Sequence, residues 1–264
     1  MTPHKSEFGL TAAMVALAPV LFCQGKYVRR VTPKLPEAAG PRSGECGRGA
    51  PLSLLVLGDS AAAGVGVATQ EEALAGHMVK RLKGRFQVRW KVVAETGATT
   101  RSVIAQLKSL HARSTATPES FTVVAISLGV NEVTCGRSAR RWLAELDELA
   151  QILREKFGAQ RMLWSGIPAM HEFPCLPQPL RWYLGARARM LNRVLRGWTE
   201  HQADCEFVAA PDGGYAELMA TDGFHPGPKV YELWAEEMVR RVENLAAELD
   251  HPLGKDYRWS SLQV

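Results

Sequence analysis

The chain has 264 residues, 46% of them hydrophobic and 22% charged, and a formal net charge of +5. Such a balance suits one large domain with a full core, and its mild basic excess reads as a solvated surface; nucleic acid, which needs charge gathered on one face, is not an expected partner. Five cysteines with no C-x-x-C exclude a disulfide framework, a zinc knuckle and a thioredoxin-type redox motif.

The first segment, residues 1–31, contains an apolar run from Gly9 to Cys23 followed by Lys26, Arg29, Arg30 and Lys34. The run is short for a membrane span, which needs roughly 20 residues, and no small-x-small cleavage site follows it. The expectation is a retained segment that contacts a membrane surface, its basic flank holding the domain on the cytoplasmic side. A cleaved export signal and a helix packed on the domain are the alternatives. Residues 32–51, rich in Pro and Gly, read as a linker to a domain over 52–250, with a tail at 251–264.

Within the domain, strands alternate with helices. Leu52–Leu57 is an apolar run suited to a strand buried on both faces, and a helix carrying Leu74, Met78 and Leu82 follows. Phe86–Ala94 reads as a second strand, then a helix with Ile104 and Leu107. Phe121–Leu128 is a third strand, followed by a long amphipathic helix over 137–157. Arg161–Ile167 is a fourth strand and Leu180–His201 a helix. Cys205–Val208 is a fifth strand, and Pro228 opens the last helix. Five strands alternating with helices predict a mostly parallel sheet covered on both faces. In such sheets the ligand crevice lies beyond the carboxyl ends of the strands.

Polar residues follow that rule. Gly58-Asp59-Ser60 comes after the first strand, Glu95-Thr96-Gly97 after the second and Gly129-Val130-Asn131-Glu132 after the third. Asp222-Gly223-Phe224-His225-Pro226 follows the fifth. A serine hydroxyl needs a base to take its proton, and a histidine base needs an acid to fix its tautomer. Asp222 and His225, three positions apart, supply both from one loop. The backbone N–H of Ser60, Gly97 and the side-chain amide of Asn131 are candidate donors to a developing oxyanion.

These four blocks, in this order, resemble the SGNH hydrolases, also called the GDSL esterase/lipase superfamily, over residues Leu52 to about Leu245. The resemblance implies a flavodoxin-like three-layer α/β/α sandwich on a mostly parallel five-stranded sheet. It implies Ser60 as nucleophile, His225 as base, Asp222 as orienter, and Ser60, Gly97 and Asn131 as oxyanion donors, with no cofactor and no metal. Two positions depart from the pattern. Ala61 stands where many members have Leu, and Glu132 stands where Asp usually follows the asparagine, which leaves the geometry of the Asn131 loop open.

The remaining features have plainer readings. Asp59 braces the serine turn. Gly64-Val65-Gly66 lacks the Lys-Ser/Thr of a phosphate loop and reads as a turn. His171-Glu172 sits at a surface or pocket rim. Arg189, Arg193 and Arg196 form a solvated face, with lipid headgroups or an anionic substrate as the sharper reading. Cys135 and Cys175 lie in loops, and their pairing is open. The apolar loop Pro168–Tyr183 is expected to wall the acyl site with Met170, Phe173, Leu176 and Trp182. The expected activity is hydrolysis of small-molecule or lipid acyl esters or thioesters, short- to medium-chain or lipid-like, through an acyl-Ser60 intermediate. Carbohydrate O-deacetylation on the same residues is the second reading and a non-catalytic binding module the third.

Overall fold

In a computed structural model of the chain, which describes residues 3–113, 119–211 and 215–250, a central sheet lies between two layers of helices. A helix α1 (Pro3–Val31) and an edge strand β1 (Ser43–Gly47) precede the central strand β2 (Ala50–Gly58). Helix α2 (Leu74–Leu82), β3 (Phe86–Ala94), α3 (Thr100–Arg113) and β4 (Val123–Ser127) follow. Then come α4 (Val130–Thr134), α5 (Ala139–Phe157) and β5 (Arg161–Ser165). A 3-10 turn (Met170–Glu172) leads to α6 (Leu180–Thr199), β6 (Cys205–Val208), α7 (Tyr215–Leu218) and α8 (Pro228–Asp250).

The strand order is β1-β3-β2-β4-β5-β6. All neighbours are parallel except β1, which pairs antiparallel with β3, Ser43 opposite Lys91 through Gly47 opposite Gln87. The sheet therefore has six strands among the described residues. The extra one lies in the segment expected to be a linker. Ser43-Gly-Glu-Cys-Gly carries no alternating apolar pattern, since an edge strand facing water is held by its backbone pairing.

β2 explains the two layers. Leu55 and Leu57 point into a core shared with α3, α5 and α6. Leu52, Leu54 and Val56 point into the opposite core, shared with α2 and α8. A strand buried on both faces needs apolar residues at every position, which is why LSLLVL shows a run and no alternation. Its parallel neighbours β3 and β4 lie on opposite sides of it, so the order of strands reverses there. β2 thus marks the switch point at which parallel α/β sheets place their crevice.

The N-terminal segment is one continuous helix of 29 residues whose second half packs on α6. Leu21 and Val28 are buried there. The Gln24 amide donates to the Gln178 carbonyl at 2.6 Å and its oxygen accepts the Leu180 N–H at 3.0 Å. Among the described residues no helix is long and apolar enough to cross a membrane. The tail over 251–264 lies outside the described residues.

Candidate active site

The serine turn begins where β2 stops. The Asp59 N–H still reaches across to the Ser127 carbonyl at 3.1 Å. The chain then coils tightly, with Ala63 N–H donating to Asp59 O at 2.9 Å and Val65 N–H to Ser60 O at 3.0 Å. Asp59 is buried and its Oδ1 accepts the Ala61 N–H at 3.1 Å, the bracing role expected of it. Burial pushes the Asp59 carboxyl up to about 7, and the nearby Glu132 charge adds to that rise. The loop passes so close to the histidine segment that a Cβ on Gly66 would come within 2.2 Å of the Pro226 carbonyl oxygen; its φ of +108° also favours glycine. The Tyr231 hydroxyl, fully buried on α8, donates to the Val65 carbonyl at 2.7 Å. Two loops far apart in sequence are thereby held face to face.

His225 stands in that second loop. Its Nε2 lies 3.0 Å from Ser60 Oγ, and its Nδ1 lies 2.5 Å from Asp222 Oδ2. A carboxylate only accepts, so Nδ1 carries the proton and Nε2 is left to accept from the serine hydroxyl. Asp222 Oδ1 accepts the backbone N–H groups of Phe224 at 2.9 Å and His225 at 3.0 Å. Burial acts to raise the Asp222 carboxyl. Hydrogen bonds from the His225 ring, the His225 N–H and the Phe224 N–H outweigh it and hold the group below its ordinary value.

Beside this arrangement Asn131 meets the turn that carries Gly97. Glu95–Ala98 form a turn closed by the Ala98 N–H on the Glu95 carbonyl at 3.0 Å. Gly97, at its third position with φ +83°, occupies the place where a type II turn favours glycine. The turn is tied to the end of β2 by Glu95 N–H on Gly58 O at 3.3 Å. Asn131 Nδ2 donates to the Ala98 carbonyl at 2.8 Å and faces Asp59 Oδ2 at 3.4 Å, a long contact. Glu132, fully buried, accepts the Thr100 N–H at 2.6 Å. Its extra methylene relative to aspartate reaches the start of α3, which answers the question its presence raised. Among the described residues no group accepts from the N–H of Ser60 or of Gly97.

A largely apolar cavity of about 60 Å³ adjoins Ser60 and His225, bounded by Phe173, Met219, Phe224, Val230 and Trp234. Phe224 packs edge-on between Phe173 and the His225 ring, with centroids 5.3 and 5.2 Å away. Of the four expected wall residues, only Phe173 lines this cavity. Met170 and Leu176 turn into the core, and Trp182 stays 45% exposed on α6 outside the lining. Apolar character carried no information about which of these side chains face the cavity. Trp234 and Val230, on the last helix, were missed as wall residues because their spacing reads simply as an inner helix face.

Elsewhere, Arg189, Arg193 and Arg196 are exposed, with Arg189 Nη1 3.3 Å from His171 Nδ1. The five cysteines are free thiols, so Cys135 and Cys175 are unpaired. Among the described residues no three or more His, Cys, Asp or Glu side chains gather to hold a metal.

A doubly wound α/β/α sheet with a Ser–His–Asp hydrogen-bonded relay at its switch point is the arrangement of an SGNH-type hydrolase. The sequence pattern of the GDSL-like Lipase/Acylhydrolase family matches residues 56–233, and the chain belongs to that family. That family is one of lipases and acylhydrolases, and the chain is a hydrolase of this type. Among solved structures it is similar to TesA, at 25% identity and TM-score 0.53 over 73% of this chain and 99% of that one. It also resembles psychrotrophic esterase EstA from Pseudoalteromonas sp., solved inhibited by monoethylphosphonate, at 19% identity and TM-score 0.53 over 74% of this chain and 98% of the other. A carbohydrate acetylesterase family member from Sinorhizobium meliloti matches at 16% identity and TM-score 0.53, over 74% and 99% of the two chains. No curated protein matches the chain in sequence.

Proposed function

We propose that the protein hydrolyses short-chain acyl esters through an acyl-Ser60 intermediate. The observation that carries this is the relay itself, Ser60 Oγ to His225 Nε2 at 3.0 Å and His225 Nδ1 to Asp222 Oδ2 at 2.5 Å. His225 takes the hydroxyl proton as Ser60 Oγ attacks the ester carbon, and Asp222 stabilises the imidazolium that forms. The oxyanion is met by the N–H groups of Ser60 and Gly97, neither with an acceptor among the described residues, and by the Asn131 amide, whose long contact to Asp59 it replaces. As the intermediate collapses, the alcohol leaves with the proton from His225. Water, deprotonated by the same nitrogen, then attacks the acyl-serine and releases the acid.

The cavity supports a short acyl group. A cavity of about 60 Å³ beside Ser60, lined by Phe173 and Trp234 among others, favours a small acyl group. That small size also favours a second reading, deacetylation of carbohydrate esters, in which only the acetyl group enters. Hydrolysis of p-nitrophenyl acetate, butyrate and octanoate, beside acetyl-xylan, tests both, with Ser60→Ala as control. Cleavage by the parent protein that vanishes in Ser60→Ala supports the assignment, and full activity in Ser60→Ala removes it.

The N-terminal helix is proposed to rest on an anionic membrane surface. Val15, Val20, Phe22, Tyr27 and Val31 are exposed on α1. Lys26, Arg29 and Arg30 share the exposed sides of the same helix.

A further inference from the structure

The segment ahead of the family-matched region touches both loops of the site. Glu37 Oε1 accepts two bonds from one residue of the Gly97 turn, the Thr96 N–H and the Thr96 hydroxyl, both at 2.7 Å. Glu37 Oε2 is held by Arg42 Nη2 at 2.6 Å, and Arg42 Nη1 donates to the Ala94 carbonyl at 2.8 Å, at the end of β3. The next residues bind the serine loop. Ala38 N–H donates to Ala63 O at 3.2 Å and Ala39 N–H to Ala68 O at 3.0 Å. The buried Gln70 amide joins the two strands of chain by donating to both Ala38 O and Ala63 O, at 3.1 and 3.0 Å. Residues 37–42 thus form a strap across the carboxyl ends of β2 and β3.

The turn it holds stands at the surface. Glu95, Thr96 and Gly97 are exposed, and a Cβ on Gly97 would meet nothing within 4 Å. On one side Asn131 fixes the Ala98 carbonyl. On the other, Glu37 fixes the peptide N–H that immediately precedes Gly97. A donor helps only if it already points at the place where charge develops, and a misplacement of about 1 Å can cost up to ~10²-fold in rate.

We propose that Glu37 is a positioning residue of the active site, clamping Thr96 so that the Gly97 N–H is set toward the oxyanion, with Arg42 holding Glu37 in place. The proposal rests on the reading of Ser60 as nucleophile and Gly97 as oxyanion donor. It makes a segment outside the region matched by the family, residues 56–233, part of the catalytic apparatus.

The test is steady-state hydrolysis of p-nitrophenyl acetate by the full chain, with thermal unfolding measured on the same samples. Glu37→Ala is expected to lower kcat about tenfold and leave KM within about twofold, at temperatures far below its unfolding midpoint. Glu37→Gln keeps an oxygen that accepts from Thr96 but sets its NH2 against the Arg42 guanidinium, and is expected to recover part of the loss. A kcat for Glu37→Ala within about twofold of the parent overturns the proposal. So does a loss that appears only where the variant begins to unfold, or one that Glu37→Gln does not lessen. Ser60→Ala, assayed in parallel, separates the two layers of the argument. If it retains activity, the reading of the site fails. If it is inactive while Glu37→Ala is normal, only the strap is wrong.

Discussion

His225 Nε2 stands 3.0 Å from Ser60 Oγ although 165 positions separate the two residues in the chain. The contact is set by the scaffold on both sides of it. β2 delivers Ser60 at the switch point of the sheet, and the loop before α8 delivers His225 from the other end of the domain. Gly66 allows the two loops to touch at Pro226, and Tyr231 ties them together through Val65.

Asp222 has two separable tasks, which two substitutions divide. Asp222→Asn keeps the size of the side chain but offers His225 the wrong partner, and kcat is expected to fall by about 10³–10⁴-fold. Asp222→Ala also frees the Phe224 and His225 N–H groups, so its unfolding midpoint should drop as well, by an amount corresponding to about 1–3 kcal/mol. Kinetics and thermal unfolding on both variants check this. An Asp222→Asn protein as active as the parent contradicts the assigned role.

Asp59 gives a pH signature. Its folded value of about 7 lies above the ordinary 3.8. The native state therefore holds a proton that the unfolded chain has lost between those limits, and stability falls as pH rises through this window. The shift corresponds to a penalty on the order of 4 kcal/mol at pH 8. Asp59→Asn removes the titrating group and sacrifices only the long contact with Asn131. Its unfolding midpoint relative to the parent should rise between pH 4 and pH 8. A difference that does not change with pH contradicts the argument.

Under the proposed function, the cavity beside the relay limits the length of the acyl group. Acetyl and butyryl esters are expected to be cleaved at least about tenfold faster, by kcat/KM, than octanoyl esters. Phe173→Ala opens the wall that the structure assigns to this residue and should shift the preference toward longer chains. Trp182→Ala, outside the lining, should not. Parallel acyl profiles of the two variants check the assignment, and an equal response from both counts against it.

Helix α1 presents apolar side chains and cations on its uncovered sides. The full chain is expected to sediment with phosphatidylcholine vesicles that contain phosphatidylglycerol and to remain in solution with phosphatidylcholine alone. Phe22→Ser with Tyr27→Ser should abolish sedimentation, and added salt should weaken it, since each basic residue near such a surface contributes about 1 kcal/mol. Equal recovery in solution under all these conditions contradicts the surface contact.

Much of this fold was legible because parallel strands buried on both faces leave continuous apolar runs, as in Leu52–Leu57 and Val123–Ser127. Ser60 was legible for a related reason, since it directly follows a strand, and Asp222 and His225 were legible from their spacing of three positions. β1 was not, because Gly44 and Gly47 pair through their backbone and leave no side-chain pattern. Glu37 and Arg42 were hidden differently. Their partners, Thr96 and Ala94, lie more than 50 residues away, and a carboxylate in a Pro-rich stretch has no local sign of what it will hold. Met170 and Leu176 show a third limit. Composition says that such residues seek burial, and only the packing on α6 decides that the core receives them and the pocket does not.

The central claim is that Ser60 is the nucleophile, and its most direct measurement is the site of covalent modification by a fluorophosphonate. Mass analysis of the treated, digested protein is expected to find one phosphonyl group, on the peptide carrying Ser60, formed as hydrolysis is lost. Ser60→Ala should take up none. A protein that cleaves esters while Ser60 remains unmodified, or that is inactivated through another residue, contradicts the account.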